Sequence, residues 1–303
     1  MSIDIAGAPV SFGVFELTDP ATLDRLPGPD RVLDVLAAAG YTGVDLGPLG
    51  YLGRGDALLG RLRRTGLGLA GGWIELPFSD DDRFRAALAG LDETLDAFTE
   101  AAEAVGPRAP KPTLADAGDD ARRAHPGGGA RSLRGDRLGS FARNVRTAAA
   151  LVQERGLEPT FHHHVGTYVE TPDEIDAFLD AVDVDLTFDT GHLLLGGGSP
   201  LVDWGRWSSR VNHVHLKDVD LSVLEAVRRR GGGMREVWTS RAFVRFGDGD
   251  LDVAGFLDGL VADGYDGWIV IEQDVLPTGE VRVEDLEADQ EHNIRRLKEL
   301  LER

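Results

Sequence analysis

Apolar positions along the chain fall into two alternating kinds of segment. Short runs rich in apolar and β-branched residues occupy 3–12, 43–48, 67–76, 109–115, 157–164, 184–190, 211–217 and 268–273. Between them apolar residues recur at helical spacing: Val32, Leu33, Val35 and Leu36; Leu58, Leu59 and Leu62; Phe84 through Val105; Phe141 through Val152; Ile175 through Val182; and Phe256 through Val261. The short runs read as strands buried on both faces, and the periodic segments as amphipathic helices. Eight strand-then-helix units in 303 residues predict a parallel sheet closed into a (β/α)8 barrel, an α/β fold, rather than an open doubly wound sheet.

Local signals punctuate this rhythm. Thr171-Pro172-Asp173-Glu174 places a capping threonine before a first-turn proline and an acidic third residue, the signature of a helix start. Gly40, Gly156 and Gly264 mark helix ends just before the next strand. No linker rich in proline, glycine and serine divides the chain, so residues 1–303 read as one domain. Two long stretches lack periodicity: 116–138, with Gly127-Gly128-Gly129, and 218–250, with Arg228-Arg229-Arg230 before three glycines. Each follows a predicted strand and so belongs at the C-terminal mouth, where barrels of this kind carry their active sites. They read either as lids over a site or as surface insertions, with Arg228, Arg229, Arg230 and Arg235 in a solvated loop.

Composition narrows the function. The 32 basic against 52 acidic residues give a formal charge of −20, which repels phosphate backbones and anionic lipid, so neither nucleic acid nor membrane is an expected partner. With no cysteine, disulfides, thiolate metal sites and cysteine nucleophiles are excluded, and any metal must sit on nitrogen and oxygen. Met1 to Pro9 has no basic start followed by an apolar run, and no stretch approaches the ~20 apolar residues of a membrane span; a cytoplasmic location is expected. A homo-oligomer is left open.

Six of the eight histidines lie between 162 and 215: His162, His163, His164, His192, His213 and His215. All are at or near predicted strand ends. Strand alternation puts His162 and His164 on one face and His163 on the other, toward the helices, while His213 and His215 share a side. Asp189, in Phe188-Asp189-Thr190-Gly191-His192, and Glu272, in Ile271-Glu272-Gln273-Asp274, add carboxylates at two further strand ends. Taken singly, Asp189 is also explained as a helix cap and Glu272 as a salt-bridge partner of an arginine. Jointly, imidazoles and carboxylates at the ends of strands five to eight predict a site for a divalent cation such as Mn²⁺, Co²⁺, Zn²⁺ or Mg²⁺. Lys217 and Asp218 read as a buried ion pair supporting that site, with proton transfer by Lys217 as the other reading.

The series His162-His163-His164-Val165-Gly166-Thr167, Phe188-Asp189-Thr190-Gly191-His192, His213-Val214-His215-Leu216-Lys217-Asp218-Val219, Gly247-Asp248-Gly249 and Gly267-Trp268-Ile269-Val270-Ile271-Glu272-Gln273-Asp274 resembles the inosose dehydratases. These belong to the xylose-isomerase-like barrel superfamily, which also holds sugar epimerases and endonuclease IV. Ala8-Pro9-Val10-Ser11-Phe12-Gly13 resembles their first strand. Members bind one divalent ion through glutamate, aspartate, histidine and glutamate on strands five to eight. The resemblance implies His162, Asp189, His215 and Glu272 here, with Mn²⁺ or Co²⁺ favoured over Zn²⁺ or Mg²⁺. Histidine in place of the strand-five glutamate follows the dehydratases and departs from the epimerases, which use the two glutamates as a pair of proton carriers. Strand two departs too, reading Val44-Asp45-Leu46-Gly47-Pro48 where a glutamate is expected.

The implied reaction removes the proton beside a carbonyl to reach an enediolate, then loses the β-hydroxyl as water. A keto-inositol is the implied substrate, and a keto-sugar isomerase or epimerase is the alternative, since returning the proton completes that reaction instead. His164, His192, Lys217 and Glu272 are the candidates for proton transfer or orientation. Trp73, His162 and Asp218 are the candidates for substrate contact, Trp73 by packing on a sugar face. A non-catalytic sugar-binding barrel is the competing class, and an endonuclease IV-like activity is disfavoured by the charge of −20.

Overall fold

The computed structural model describes residues 3–15, 25–104, 106–129, 131–278 and 282–303. Ten strands are present among them: β1 Ile3–Gly7, β2 Gly43–Asp45, β3 Gly68–Leu76, β4 Lys111–Asp116, β5 Thr160–His162, β6 Leu186–Asp189, β7 Val211–Leu216, β8 Asp218–Val219, β9 Phe243–Val244 and β10 Gly267–Ile271. Eight of them close into an all-parallel barrel in the order β1-β10-β7-β6-β5-β4-β3-β2, and β8 and β9 pair separately as a short antiparallel ribbon. All eight expected barrel strands are therefore present, most of them shorter than their apolar runs. The 3–12 run, for example, ends as a strand at Gly7 and continues as a 3-10 turn, Pro9–Phe12, with the proline at its start.

The barrel has an apolar shell and a graded interior. Val44, Leu69, Leu114, Phe161, Phe188, Val214, Ile269 and Ile271 are buried against the surrounding helices in one continuous cluster. On the opposite face, alternation along β10 carries Trp268, Val270 and then Glu272 inward. Trp268 and Val270 pack with Ala6, Ala8 and Ala70 in a separate cluster. The fully buried indole leaves no room for a side chain at residue 43, where a Cβ would lie 2.6 Å from the ring, hence Gly43. Apolar floor below and carboxylate above place the polar chemistry at the C-terminal mouth.

The signals read for helix ends hold. Thr171 and Glu174 form a reciprocal capping box at the start of the helix Pro172–Ala181, and Gly40, Gly156 and Gly264 adopt φ of 91°, 73° and 74°. The 218–250 stretch, read as non-periodic, instead contains the ribbon and two helices, Leu221–Arg229 and Met234–Thr239. Leu224, Val227, Met234, Val237 and Trp238 form a small core of their own with Val165, Leu195, Val219 and Phe243. Arg228 is likewise not in a solvated loop: its guanidinium donates to the carbonyls of Pro126 (Nε, 3.2 Å) and Leu195 (Nη2, 3.3 Å), tying this segment to the other long one. That other stretch holds the helix Asp120–Ala124 and the start of Asp136–Glu154. No helix among the described residues is long and apolar enough to cross a membrane.

Candidate functional site

Sheet register brings the strand-end side chains together. Asp189 lies opposite His215 across β6 and β7, His162 opposite Thr187 across β5 and β6, and His215 opposite Val270 across β7 and β10. The four side chains converge accordingly. His162 Nε2 is 3.1 Å from Asp189 Oδ2 and 3.2 Å from His215 Nδ1, while His215 Nδ1 is 3.0 Å from Glu272 Oε2. All four residues are buried. Asp189 serves as cap and site residue at once: Oδ1 accepts the N–H of His192 at 2.8 Å, leaving Oδ2 for the cluster. Glu272 pairs with His215 and Lys217 rather than with an arginine.

Lys217 reaches into the same cluster. Its Nζ is 3.2 Å from Asp189 Oδ2, 2.8 Å from Glu272 Oε2 and 2.9 Å from Asp274 Oδ1. Burial disfavours its charge, yet the three carboxylates outweigh that and hold its pKa well above the ordinary lysine value. Burial likewise opposes charge on His215, and the Glu272 carboxylate overrides it, raising that imidazole. Three carboxylates and one ammonium leave two negative charges beside two imidazoles. Two nitrogen and two oxygen donors with that residual charge fit a divalent cation of the hard or borderline kind. Asp45, buried near His215 and Glu272, offers a further carboxylate on the same side.

A cavity of about 390 Å³ opens above the cluster, lined in part by Trp73, Asp116, His164, Lys217, Trp238 and Asp274. Trp73 stands edge-on to His162 and His164, with ring centroids 5.4 and 5.1 Å away. The Nδ1 of His164 is 2.7 Å from the carbonyl of Val165. A carbonyl can only accept, so the proton sits on Nδ1 and Nε2 keeps its lone pair. Burial, reinforced by the neighbouring His162, depresses the pKa of His164 well below the usual imidazole value.

His192 lies behind His164, ring centroids 3.5 Å apart, and its Nε2 is 3.2 Å from Lys217 Nζ and 3.3 Å from Asp274 Oδ2. It is fully buried and is not among the residues that line the cavity. His163 faces away from the cluster, its Nε2 accepting the N–H of Asp189 at 3.1 Å.

Asp218 is not brought to the cavity and does not pair with Lys217. Its carboxylate accepts the backbone N–H groups of Val219, Gly247, Gly249 and Leu251, organising the turn after β9. Asp274, Asp116 and Trp238 line the cavity and are not among the site residues that the sequence singles out. Asp274 had a signal, since it follows Glu272 at a spacing of two. Both long segments also contribute to the wall, Ala117 and Arg123 from the first and Trp238 from the second.

Asp116 supplies a pH dependence. Burial raises its pKa to about 7, and Glu75 adds to the rise while the N–H groups of Tyr168 and Gly118 and the charge of Arg122 partly offset it. The folded chain therefore holds this proton more tightly than the unfolded one. The associated stability is fully present below the ordinary value near 3.8 and is lost as pH rises to about 7. Asp116→Asn, which has no such charge to bury, is expected to raise the thermal midpoint at pH 8 clearly more than at pH 4.5. Melting curves of the metal-free proteins check this, and an equal shift at both values contradicts it.

The chain is similar in sequence and in fold to known proteins. The model of the xylose isomerase-like TIM barrel family matches residues 33–300. The chain is 33% identical over 268 residues to the inosose dehydratase of Geobacillus kaustophilus (strain HTA426), covering 84% of each. It is 32% identical over 286 residues to the rhizopine catabolism protein MocC of Rhizobium meliloti, covering 91% of this chain and 83% of that one. Among solved structures, a xylose isomerase-like TIM barrel protein from Mycobacterium smegmatis in complex with magnesium superposes with a TM-score of 0.64 at 16% identity, over 98% of this chain and 97% of the other. With its closed eight-stranded barrel and a family match running from residue 33 to residue 300, the chain belongs to the xylose isomerase-like TIM barrel family.

Proposed function

We propose that the protein is a divalent-metal-dependent hydro-lyase that removes water from a keto-inositol, in the manner of the inosose dehydratases it resembles. The observation that carries this reading is the convergence of His162 Nε2, Asp189 Oδ2, His215 Nδ1 and Glu272 Oε2 beneath a cavity that His164 also lines. A divalent ion bound there supplies Lewis-acid polarisation of the substrate carbonyl and its neighbouring hydroxyl.

The chain's own groups do the rest. His164, with Nε2 unprotonated, takes the proton from the carbon beside the carbonyl, giving an enediolate. The β-hydroxyl then leaves as water, taking up the proton that His164 carries, so His164 returns to its starting state and the substrate loses one H and one OH in total. Lys217, an ammonium held by three carboxylates, orients hydroxyls and steadies negative charge as it develops. His192 and Asp274 keep His164 and Lys217 in place. With histidine at 162, Glu272 is the single carboxylate that remains of the epimerases' proton-carrying pair, which favours elimination over a symmetric epimerisation.

The test is incubation of purified protein with 2-keto-myo-inositol and Mn²⁺, following the absorbance of the dehydrated diketone beside a panel of ketohexoses. Turnover of the keto-inositol that is lost on chelation and restored by Mn²⁺ or Co²⁺ is the expected result. Epimerised ketohexose without dehydration would establish the isomerase reading. Absence of any turnover, with no metal retained, would leave a sugar-binding barrel.

A further inference from the structure

The cavity has two unlike sides. Toward β5, β7 and β10 it presents the convergent donors together with His164, Lys217 and Asp274. Toward β1 and β2 the half-buried side chains that line it are Val10, Phe15 and Pro48, with Trp73 beside them on β3. Asp45 is the one charged group lining that side among the described residues, and it lies deep. A carboxylate oxygen of Asp45 is within 4.8 Å of donor atoms of His215 and Glu272, and its Oδ1 accepts the N–H of Gly47 at 3.0 Å. At the mouth the exposed charged groups, Glu75 and Arg123, stand on the β3 and β4 side.

The backbone holds the apolar side in place. The turn Pro9–Phe12 follows β1 and carries Val10. Gly47, with φ of 60°, packs so closely on it that a Cβ would lie 2.7 Å from the Pro9 ring, which fastens the loops after β1 and β2 together. The carbonyl of Pro48 accepts the N–H of Tyr51 at 2.9 Å, and Phe15 stands edge-on to Trp238 with ring centroids 5.0 Å apart. Leu49, the next residue after Pro48, is 37% exposed. A lone surface leucine needs no explanation, but one adjoining a half-open apolar wall extends it.

A bare keto-cyclitol carries a hydroxyl on every carbon except that of the ketone. Whichever hydroxyl is turned to Val10, Phe15 and Pro48 finds no side-chain partner there, and an unmade hydrogen bond weighs against binding. Size points the same way. The cavity, at about 390 Å³, falls among those of roughly 300–1,000 Å³ that bury drug-sized ligands, and a bare cyclitol is smaller than these. We infer that the β1–β2 side is an apolar subsite for a substituent on the substrate ring, and that the preferred substrate is a keto-cyclitol or keto-sugar with one hydroxyl blocked as an alkyl or aryl ether. The inference rests on the proposed reaction for the polar side of the cavity and adds the class of group carried by the part of the ring that does not react.

Calorimetric titration of the Mn²⁺-loaded protein with myo-inositol and with its mono-O-methyl and mono-O-benzyl ethers tests this; none has a carbonyl, so none reacts. At least one regioisomer of the methyl ether is expected to bind about fourfold more tightly than myo-inositol, as for one carbon taken out of water, and the corresponding benzyl ether on the order of tenfold or more. Val10→Thr exchanges a methyl for a hydroxyl at nearly constant shape, and Leu49→Ser shortens an exposed side chain. In each, the ratio of ether affinity to myo-inositol affinity is expected to fall by about twofold or more, as for part of one apolar contact. Circular dichroism and Mn²⁺ content establish that each variant is folded and loaded.

Ethers that bind no more tightly than myo-inositol at any position, while 2-keto-myo-inositol is dehydrated, would overturn the subsite and leave the reaction standing. An ether preference that both variants keep in full would overturn it as well, as would a wild type that binds neither inositol nor ether. An ether preference that the variants lose, without turnover of 2-keto-myo-inositol or of its O-methyl ether, would sustain the subsite and sink the proposed reaction.

Discussion

Glu272→Gln is expected to lower kcat/KM for the keto-inositol by on the order of 10³ and to release most of the bound Mn²⁺, with the fold intact. The glutamate sits at the end of β10, where its Oε2 meets His215 at 3.0 Å and Lys217 at 2.8 Å. Glutamine preserves the volume and can still accept from Lys217, which also keeps Asp189 and Asp274 as partners. What disappears is one negative charge among the donors. Groups that merely contact a metal ligand are worth 10–100-fold in affinity or activity, and loss of a ligand itself removes several kcal/mol of transition-state stabilisation, about one decade for each 1.36 kcal/mol. His215→Ala, which removes the neighbouring imidazole donor from β7, should behave alike. Elemental analysis after dialysis, read beside the rate, checks both. Full turnover in either variant would refute the assignment of these residues, and metal loss without loss of rate would refute the metal's role.

How far this site was legible in the sequence depends on where each residue lies relative to a strand. His162, Asp189 and His215 fall within β5, β6 and β7 and Glu272 directly follows β10, so alternation and strand-end position were enough to bring them to one mouth. The alternation survives a little past the ladder, which is why His164 faces the cavity although β5 stops at His162. Beyond that the signal fails. Adjacency in the sequence suggests Asp218 as the partner of Lys217, whereas its charge is held by residues 28 positions before and 55 and 57 positions after it. Asp218 instead satisfies a turn that closes through Gly247 and Gly249. Trp238 lay in a stretch dominated by arginine and glycine, on a helix of six residues, too short for a period of 3.6 to declare itself.

Arg122→Met is expected to cost about 3–5 kcal/mol of stability at pH 8, lowering the thermal midpoint by on the order of 10 °C, and the loss should shrink at pH 5. Arg122 is fully buried in the 116–138 stretch. Its Nη1 donates to the carbonyl of Thr167 at 3.0 Å, to Glu170 Oε1 at 3.1 Å and to Glu174 Oε2 at 2.9 Å, and its Nη2 donates to Glu174 Oε1 at 2.7 Å. Glu170 in turn accepts the N–H groups of Gly127, Gly129 and Gly166, and Glu174 accepts from Ser132. One guanidinium therefore fastens the glycine-rich stretch to the loop after β5, whose Gly166 and Thr167 line the cavity. Methionine fills similar volume but leaves two carboxylates buried without a cation, and a lone carboxylate in such a place is far costlier than the intact cluster. In the wild type, burial opposes ionisation of Glu174 and the Arg122 contact outweighs it, so its pKa is lowered and the stability it contributes is lost as pH falls. In the variant both glutamates lack that contact and take up protons at higher pH, so acid relieves the repulsion and narrows the gap between the two proteins. Arg122→Lys, a point charge that cannot reproduce the forked contact, should fall between them. A loss below about 1 kcal/mol at pH 8, or one of equal size at both pH values, would show that this cluster does not hold the wall of the cavity in place.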